Sequence, residues 1–382
     1  MKYFLIAGEA SGDMHAARLI RSLRQTDASA QFVGMGGMLM QQEGCCLVQN
    51  YENMAFMGVV AVLKNLSAVR RNFAIAKQTL LHEQPDALIL IDYPTFNLKI
   101  AKFCRRHLPR TKIYYYIPPK VWAWKSWRVH RITRYTDKVL AIFPFEPAFY
   151  ARYGYKAEYM GNPTMDAIRE WKKECATDMN SQLTAINGDS QSSNTLAVLP
   201  GSRKHEIEKC LPKMLTAARR IQADMPDLRI VVLGAPGVHP NFYHQFLRGE
   251  TILFGQTYDV VAQARAAIVN SGTATLETAL LGCPQVAVYH IAMGRLVGLF
   301  RDLLFKIPHF TLVNIIAGKE VIQEKIAYLF TVDEVEKETH RLLTDNRYRQ
   351  QMEADYCMIA NRLGNAIAND NAARTIISDL QS

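Results

Sequence analysis

A turn of small residues rich in hydroxyl groups, Ser271-Gly272-Thr273, separates the apolar run AAIVN from a segment of helical spacing, ATLETALLG. The start of a helix exposes backbone N–H groups, and these groups bind anions. Glu277 lies one turn further in. A carboxylate beside an anion site is unexpected unless it holds a neutral group attached to that anion. The stretch therefore indicates a site for an anionic ligand that carries sugar hydroxyls.

Two further polar loops follow apolar runs. In LAVLPGSR, Gly201 and Ser202 form a phosphate-type turn and Arg203 supplies a permanently charged donor fork. In LILIDYPTFN, Asp92 ends a nearly all-apolar strand. Partial desolvation raises the pKa of a carboxyl group, so Asp92 is a candidate general base.

The fourth loop is GEASGD, which follows the first apolar run. Its glycines, Gly8 and Gly12, let a ligand approach the backbone. We expect Asp13 to N-cap the helix that follows. Each of the four loops alone is also compatible with an ordinary turn between a strand and a helix. Together they favour a ligand site, since open α/β sheets bind ligands at the carboxyl ends of their strands.

The elements that carry these loops alternate along the chain. Short runs rich in Ile, Val, Leu and Tyr alternate with helical stretches, and the pattern breaks between about 160 and 194. Buried strands alternating with helices predict parallel sheets covered on both faces. The fold class is therefore α/β, with two Rossmann-like domains facing a cleft. We expect domains at 1–163 and 164–345, and C-terminal helices at 346–382 that pack back across the domains.

Composition and motifs indicate the compartment and the kind of partner that we expect. The net charge is +10 and the seven cysteines are scattered, with no CxxC pair. These features favour a reducing cytoplasm and anionic partners, with no disulfide framework. The chain has no run of 18 apolar residues, and its N-terminus is typical of a first strand rather than a signal peptide. GxGxxG, P-loop, DxD and nucleic-acid motifs are absent.

Several blocks of the sequence, in order, resemble lipid-A-disaccharide synthases over residues 3 to 330. They are GEASGD, FMGVVAVL, IDYPTFN, VWAWKSWRV, PFEPAFY, LPGSR, SGTATLE and LVNIIAGKEVIQE. The resemblance implies a glycosyltransferase of the two-domain GT-B type, with an N-terminal acceptor domain and a C-terminal donor domain. It implies transfer from UDP-2,3-diacylglucosamine to 2,3-diacylglucosamine 1-phosphate (lipid X). The products would be the β(1→6) lipid A disaccharide 1-phosphate and UDP.

The resemblance also implies residue roles. Asp92 is the expected base, and inversion without a metal or cofactor is the expected mechanism. The residues expected to bind the UDP donor are Gly201, Ser202, Arg203, Ser271, Gly272, Thr273, Ala274, Glu277, Asn314 and Gln323. Those expected at the acceptor side are Gly8, Glu9, Ser11, Gly12, Asp13, Met57, Gly58, Trp122 and Trp124. The chain departs from the family at Thr95, where a second aspartate is usual.

Diacylated substrates require apolar surface. One candidate is the segment 294–306, GRLVGLFRDLLFK, whose expected membrane face comprises Leu296, Leu299, Phe300, Arg301 and Leu303. A helix packed on a core has the same pattern, and the segment 57–66 is a second candidate. The basic excess suits an anionic surface. We therefore expect a cytoplasmic protein, peripheral to the inner face of the inner membrane, with no nucleic-acid partner and with a homodimer left open.

Two alternatives remain at this point. A UDP-sugar epimerase has the same two-domain plan but needs no acceptor site, so the apolar segments and the loop with Trp122, Trp124 and Trp127 would be unused. A non-catalytic, membrane-associated nucleotide-sugar binder needs no base, which the carboxylate at a strand end argues against.

Overall fold

The computed structural model describes residues 1–54, 66–123, 125–178, 194–290 and 309–382. The chain divides into two compact units, one comprising Met1–Pro163 with Gly364–Ser382 and the other Thr164–Leu363. Some predicted residues lie outside the described residues: Met57, Gly58, Trp124, Leu296, Leu299, Phe300, Arg301 and Leu303. Both candidate apolar segments therefore stay predictions.

The first unit contains a seven-stranded sheet of order β3-β2-β1-β4-β5-β6-β7 in which every neighbouring pair is parallel. Its strands are β1 (Lys2–Ala7), β2 (Gln31–Gly36), β3 (Cys46–Asn50), β4 (Ala87–Ile91), β5 (Lys112–Tyr116), β6 (Lys138–Ala141) and β7 (Glu158–Tyr159). Its helices are α1 (Ala10–Thr26), α2 (Met38–Gln42), α3 (Leu66–Glu83), α4 (Pro94–His107), α5 (Val129–Tyr135), α6 (Glu146–Ala151) and α15 (Ala368–Gln381).

The second unit contains a six-stranded parallel sheet of order β10-β9-β8-β11-β12-β13. Its strands are β8 (Thr195–Leu199), β9 (Arg229–Gly234), β10 (Thr251–Phe254), β11 (Ala266–Asn270), β12 (Gln285–Tyr289) and β13 (Glu324–Ile326). Its helices are α7 (Pro163–Asp178), which starts at the boundary, α8 (Lys204–Asp224), α9 (Asn241–His244), α10 (Thr257–Gln263), α11 (Thr273–Leu280), α12 (Leu312–Ala317), α13 (Val332–Thr344) and α14 (Asn346–Leu363). The predicted α/β class with two parallel-sheet domains is confirmed.

The central strands are apolar because helices cover both faces of the sheet. Every residue of β4 and β11 is buried. In β5, the alternation of a strand sends consecutive tyrosines to opposite faces. The Tyr114 and Tyr116 hydroxyls donate to Asp379 and Asn369 of α15, at 2.7 and 2.9 Å. Tyr115 joins the core on the other face.

The two helices of the predicted C-terminal region 346–382 belong to different units. α14 packs on α12 and α13 in the second unit. α15 packs on α1, and its Ala373, Ile376 and Ile377 enter the core of the first unit. Among the described residues, no helix is long and apolar enough to cross a membrane.

Candidate active site

The four loops predicted from the sequence lie where the strand order reverses. In the first sheet β1 and β4 are neighbours, and Ala7 pairs with Ile91. In the second sheet β8 and β11 are neighbours, and Leu199 pairs with Val269. Chain connections diverge at such a reversal, which leaves a crevice at the carboxyl ends of the two strands. Each unit therefore presents two of the four loops at its own crevice.

Asp92 occupies a strained backbone conformation at the end of β4. Its φ is +42° and that of Tyr93 is +44°, in the left-handed region that costs a non-glycine residue energy. Three hydrogen bonds hold the peptide. Asp92 N donates to Ile117 O (3.2 Å), and Asp92 O accepts from Tyr115 Oη (2.6 Å) and Asn97 Nδ2 (2.8 Å). The backbone position of this carboxylate is therefore fixed in advance.

The electrostatic surroundings make Asp92 a better base than an ordinary aspartate. Burial and the neighbouring Glu9 carboxyl, which is within hydrogen-bonding reach, raise the pKa of Asp92 to about 6. Lys120 opposes the shift through its positive charge. Desolvation in turn lowers the pKa of Lys120. A carboxylate with a pKa near 6 is still ionised at neutral pH and accepts a proton more readily than a solvated one.

The GEASGD loop fits closely against Asp92 and its neighbour. A Cβ on Gly8 would lie 2.2 Å from the ring of Tyr93, so only glycine fits beneath that ring. Ser11 Oγ donates to Glu9 Oε1 at 3.2 Å. Gly12 is buried, and a Cβ there would contact Ala7 at 3.3 Å, which keeps α1 close to β1.

Asp13 does not cap α1, contrary to the sequence prediction. It lies inside α1, whose N-cap residue is Glu9, and it is 3% exposed. Its carboxylate accepts hydrogen bonds from the backbone N–H groups of Gly37 (2.8 Å), Leu39 (3.1 Å) and Met40 (3.1 Å). Asp13 therefore caps α2, whose exposed N–H groups need an acceptor.

Trp122 is fixed by a buried carboxyl group that the sequence analysis did not identify. Trp122 Nε1 donates to Glu146 at 3.1 Å, and Glu146 also accepts from the N–H groups of Ile142 and Phe143. Burial raises the pKa of Glu146 to about 7. The indole packs edge-on against Phe143 and Phe145. The PFEPAFY block thus holds the loop that follows β5.

Thr95, where the sequence resemblance leads one to expect an aspartate, accepts a hydrogen bond from Arg128 Nη2 at 3.2 Å. Arg128 is positioned to pair with a carboxylate at residue 95. In this chain a hydroxyl takes that position, and Asp92 has the Glu9 carboxyl group as a neighbour.

The Gly201-Ser202-Arg203 loop is folded around Glu206. Gly201 has a φ of +117°, and a Cβ there would lie 2.5 Å from Asn270 Nδ2. Ser202 N donates to Glu206 Oε2 (3.2 Å), and Arg203 Nη1 donates to Glu206 Oε1 (3.3 Å). The Arg203 side chain is 49% exposed. This surface ion pair is weak. An anionic ligand can therefore replace Glu206 as the partner of the Arg203 guanidinium.

The turn Ser271-Gly272-Thr273 leaves the start of α11 without a side-chain cap. Gly272 is its N-cap residue and makes no side-chain cap hydrogen bond. The first N–H groups of a helix have no partner within the helix. Ser271 N donates to Val288 O at 2.7 Å, which ties the turn to β12. The anion site predicted from the sequence would use the remaining N–H groups at the start of α11, including those of Thr273 and Ala274.

Glu277 lies half-buried on α11, and burial raises its pKa. Tyr258 Oη donates to Glu277 Oε1 at 3.1 Å. Trp171 packs edge-on against Tyr258, with 5.9 Å between the ring centroids. The sequence analysis did not identify Tyr258, because no local pattern links α10 to α11. The carboxylate is therefore oriented and can accept hydrogen bonds at its second oxygen.

The structure gives Asn314 no free hydrogen-bonding group for a ligand. It is fully buried, its Nδ2 donates to Ile322 O and Glu324 Oε1, and its Oδ1 accepts from Val321 N and Ile322 N. Its predicted direct contact with the donor is therefore wrong, and Asn314 instead positions the loop before β13. Gln323, in that loop, donates to Glu320 Oε1 at 2.6 Å. Within the described ranges, no group of three or more His, Cys, Asp and Glu side chains could hold a metal ion.

Sequence comparison finds relatives that match nearly the whole chain. Residues 3–377 match the family model described as Lipid-A-disaccharide synthetase. A lipid-A-disaccharide synthase from Geobacter sulfurreducens is 33% identical over 384 residues, which cover 99% of this chain and 97% of the relative. One from Nitrosococcus oceani is 34% identical over 365 residues, covering 94% of this chain and 92% of the relative.

Comparison of structures finds likeness at low sequence identity. The S. aureus MnaA-UDP co-structure gives a TM-score of 0.68 at 14% identity, covering 100% of this chain and 97% of the other. UDP-GlcNAc 2-epimerase from Neisseria meningitidis, bound to UDP-GlcNAc, gives 0.64 at 11% identity. The spinosyn forosaminyltransferase SpnP gives 0.60 at 11%. The last two comparisons cover 100% of both chains. The likeness establishes the two-domain fold that epimerases and GT-B glycosyltransferases share.

Proposed function

This chain belongs to the lipid-A-disaccharide synthetase family, and we propose that it joins UDP-2,3-diacylglucosamine to 2,3-diacylglucosamine 1-phosphate. Membership makes it a glycosyltransferase that forms a disaccharide, which removes the epimerase and the non-catalytic binder as alternatives. The proposed products are the β(1→6) lipid A disaccharide 1-phosphate and UDP. The proposed mechanism is a single displacement that inverts the anomeric carbon.

The observation that carries the mechanism is the state of Asp92. Its backbone is strained yet fixed by three hydrogen bonds, and its pKa is raised to about 6. Strain and a raised pKa together are typical of functional residues. Asp92 lies where the strand order of the first sheet reverses, and we therefore assign it as the general base.

In the proposed step, the 6-hydroxyl oxygen of the acceptor attacks the anomeric carbon of the donor. Asp92 takes the hydroxyl proton as the new carbon–oxygen bond forms. The bond from the anomeric carbon to the diphosphate breaks, and its electron pair leaves with UDP. One displacement on an α-linked donor gives a β-linked product, so one base suffices.

The leaving diphosphate requires stabilisation as its negative charge grows. The N–H groups at the start of α11 supply fixed donors, and Arg203 supplies a mobile cation once it exchanges Glu206 for phosphate. The N-terminal end of a helix also carries a partial positive charge. These groups can take the role that a metal ion has in enzymes with a DxD motif.

Recognition of the rest of the donor falls to Glu277, which we assign to the ribose hydroxyls. Tyr258 occupies one of its oxygens and leaves the other for a donor hydroxyl. On the acceptor side we assign Gly8, Glu9, Ser11 and Gly12, of which Glu9 is the neighbour of Asp92. Asp13 instead caps α2, and Trp122 belongs to the loop that follows β5.

The substrates are amphiphiles whose acyl chains lie in a bilayer. We therefore propose that the protein is cytoplasmic and works peripherally at the inner face of the inner membrane. The apolar segments 57–66 and 294–306 remain candidates for contact with lipid.

The proposal is tested by following UDP release from UDP-diacylglucosamine with and without lipid X, in neutral detergent micelles. We expect release that depends on the acceptor and that persists in EDTA. Release of equal rate without lipid X would contradict transfer to that acceptor. Loss of activity in EDTA that Mg²⁺ restores would contradict the metal-free stabilisation of the diphosphate.

A further inference from the structure

A cationic groove on the first unit is not used by the proposed reaction. It lies between α3 and α4, has a volume of about 760 Å³ and is lined by Arg70, Phe73, Ala74, Lys77, Lys99, Lys102, Phe103, Arg106 and His107. We call this set of residues the α3–α4 groove. Five of them carry a permanent positive charge and none is acidic.

The two helices run side by side in the same direction. Both connect through β4, α3 before it and α4 after it, so both start at the carboxyl edge of the sheet, where Asp92 lies. Contacts across the groove advance together along both helices. Phe73 stacks on Phe96 at 4.4 Å, Lys99 Nζ lies 5.1 Å from the Phe73 ring, and Lys77 Nζ lies 5.2 Å from the Phe103 ring. The groove is thus a continuous feature of about two turns of each helix.

The described part of the chain supplies no counter-charge to the groove. In the part of the chain that the structure describes, none of its five lysines and arginines forms an ion pair with a carboxylate. The neighbouring Arg105 shows the contrast, since it pairs with Asp137 at 2.7 Å. Like charges gathered without acidic partners repel one another, and an external anion relieves that repulsion.

The aromatic rings give the groove an amphiphilic character. Phe73 and Phe103 are half-buried between the helices, with ammonium groups lying over their faces. Long basic side chains with apolar stems, placed beside aromatic rings, suit the boundary between headgroups and acyl chains. A soluble anion would use the charges alone, whereas a membrane surface uses both the charges and the rings.

We propose that the α3–α4 groove is the surface by which the first unit binds the anionic phosphate headgroups of a membrane. This inference rests on the proposed function, because a membrane is expected as the partner only if the substrates are membrane lipids. The two helices start at the edge of the sheet that carries Asp92, and the groove begins more than one turn further along them, at Arg70 and Lys99. Binding there holds the first unit at the lipid surface.

The test is binding to vesicles of equal parts phosphatidylglycerol and phosphatidylethanolamine, measured by co-sedimentation. Each basic residue near an anionic surface contributes roughly fivefold to binding, so Lys102→Gln with Arg106→Gln should weaken it about 25-fold. Binding by the wild-type protein should fall as salt rises, because the Debye length shortens. Vesicles of phosphatidylcholine alone should bind weakly.

The matched control is Arg24→Gln with Arg374→Gln. These exposed arginines lie on α1 and α15, helices that pack on the opposite face of the same sheet, and their removal changes the net charge equally. The control should bind vesicles as the wild-type protein does. A second groove variant, Arg70→Gln with Lys99→Gln, should bind weakly like the first and keeps the test valid if the first does not fold.

Equal weakening by the groove and control variants would overturn the proposal, since binding would then follow net charge alone. Normal vesicle binding by both groove variants would also overturn it. So would a single-stranded oligonucleotide that displaces vesicles from the wild-type protein and binds the control but not the groove variant. In neutral detergent micelles the groove variants should release UDP at the wild-type rate. Absence of UDP release by the wild-type protein would refute the proposed function without affecting the vesicle result.

Discussion

Asp92 combines a left-handed backbone with a partly desolvated carboxylate, and both features cost folding energy. The three hydrogen bonds to its peptide and the charge of Lys120 offset that cost. Replacing Asp92 with asparagine keeps the shape and removes the proton acceptor. Turnover should fall by ~10²–10⁴-fold, while calorimetric UDP affinity changes little.

The matched control for that variant is Asp86→Asn at the opposite end of β4. Asp86 accepts a hydrogen bond from Lys2 N at 2.7 Å, which asparagine can also accept. The Asp86→Asn variant should leave turnover unchanged. Turnover by Asp92→Asn at the wild-type rate would remove Asp92 from the mechanism.

The raised pKa of Asp92 predicts a pH dependence. Only the ionised carboxylate accepts a proton, so kcat/KM should decrease as pH falls through about 6. Glu9 raises the pKa of Asp92 by repelling its charge, so Glu9→Gln should move the acidic limb to lower pH. A profile of kcat/KM against pH with no acidic limb between pH 5 and 7 would refute the assignment.

In the donor loops, Arg203→Ala and Glu277→Ala should each weaken UDP binding. A hydrogen bond to a charged group is worth roughly 1.5–3 kcal/mol, or about one to two decades in affinity. Lys204→Ala is the control, because it removes the neighbouring cation, whose ammonium lies over the Phe242 ring. Calorimetry that gives all three variants the wild-type affinity would place UDP elsewhere.

At the scale of elements, Asp13 joins α1 to α2. Asp13→Ala leaves three backbone N–H groups, of Gly37, Leu39 and Met40, without their acceptor. The free energy of unfolding should fall by at least about 1–3 kcal/mol, measured by urea denaturation. Asp13→Asn retains one acceptor oxygen and should lose less. Equal stability of the alanine variant and the wild-type protein would show that the cap has no energetic role.

Features that depend on local sequence could be predicted, whereas those that depend on distant contacts could not. Asp92, Arg203 and the start of α11 could be predicted because each depends on one strand end and the residues that follow it. The partners of Asp13 lie 24 to 27 residues away, and those of Asn314 are set by the fold of the 321–324 loop. The edge strand β3 is only partly buried, so its apolar signal is weak. The α3–α4 groove depends on two helices that meet only in the folded chain.

For the whole molecule, strand alternation predicts two parallel sheets because fully covered strands must be apolar. The assignment of the C-terminal helices could not be predicted in the same way. α14 and α15 are both amphipathic, and the units on which they pack are decided by contacts distant in sequence, such as Tyr114 with Asp379.

The most direct test of the central claim, a single displacement with one base and no covalent intermediate, is the anomeric configuration of the product. NMR of the disaccharide formed from the α-linked UDP donor reports whether the new linkage is α or β. The mechanism with Asp92 as the sole base predicts a β linkage. An α linkage would require a second displacement or a front-face reaction and would contradict the mechanism.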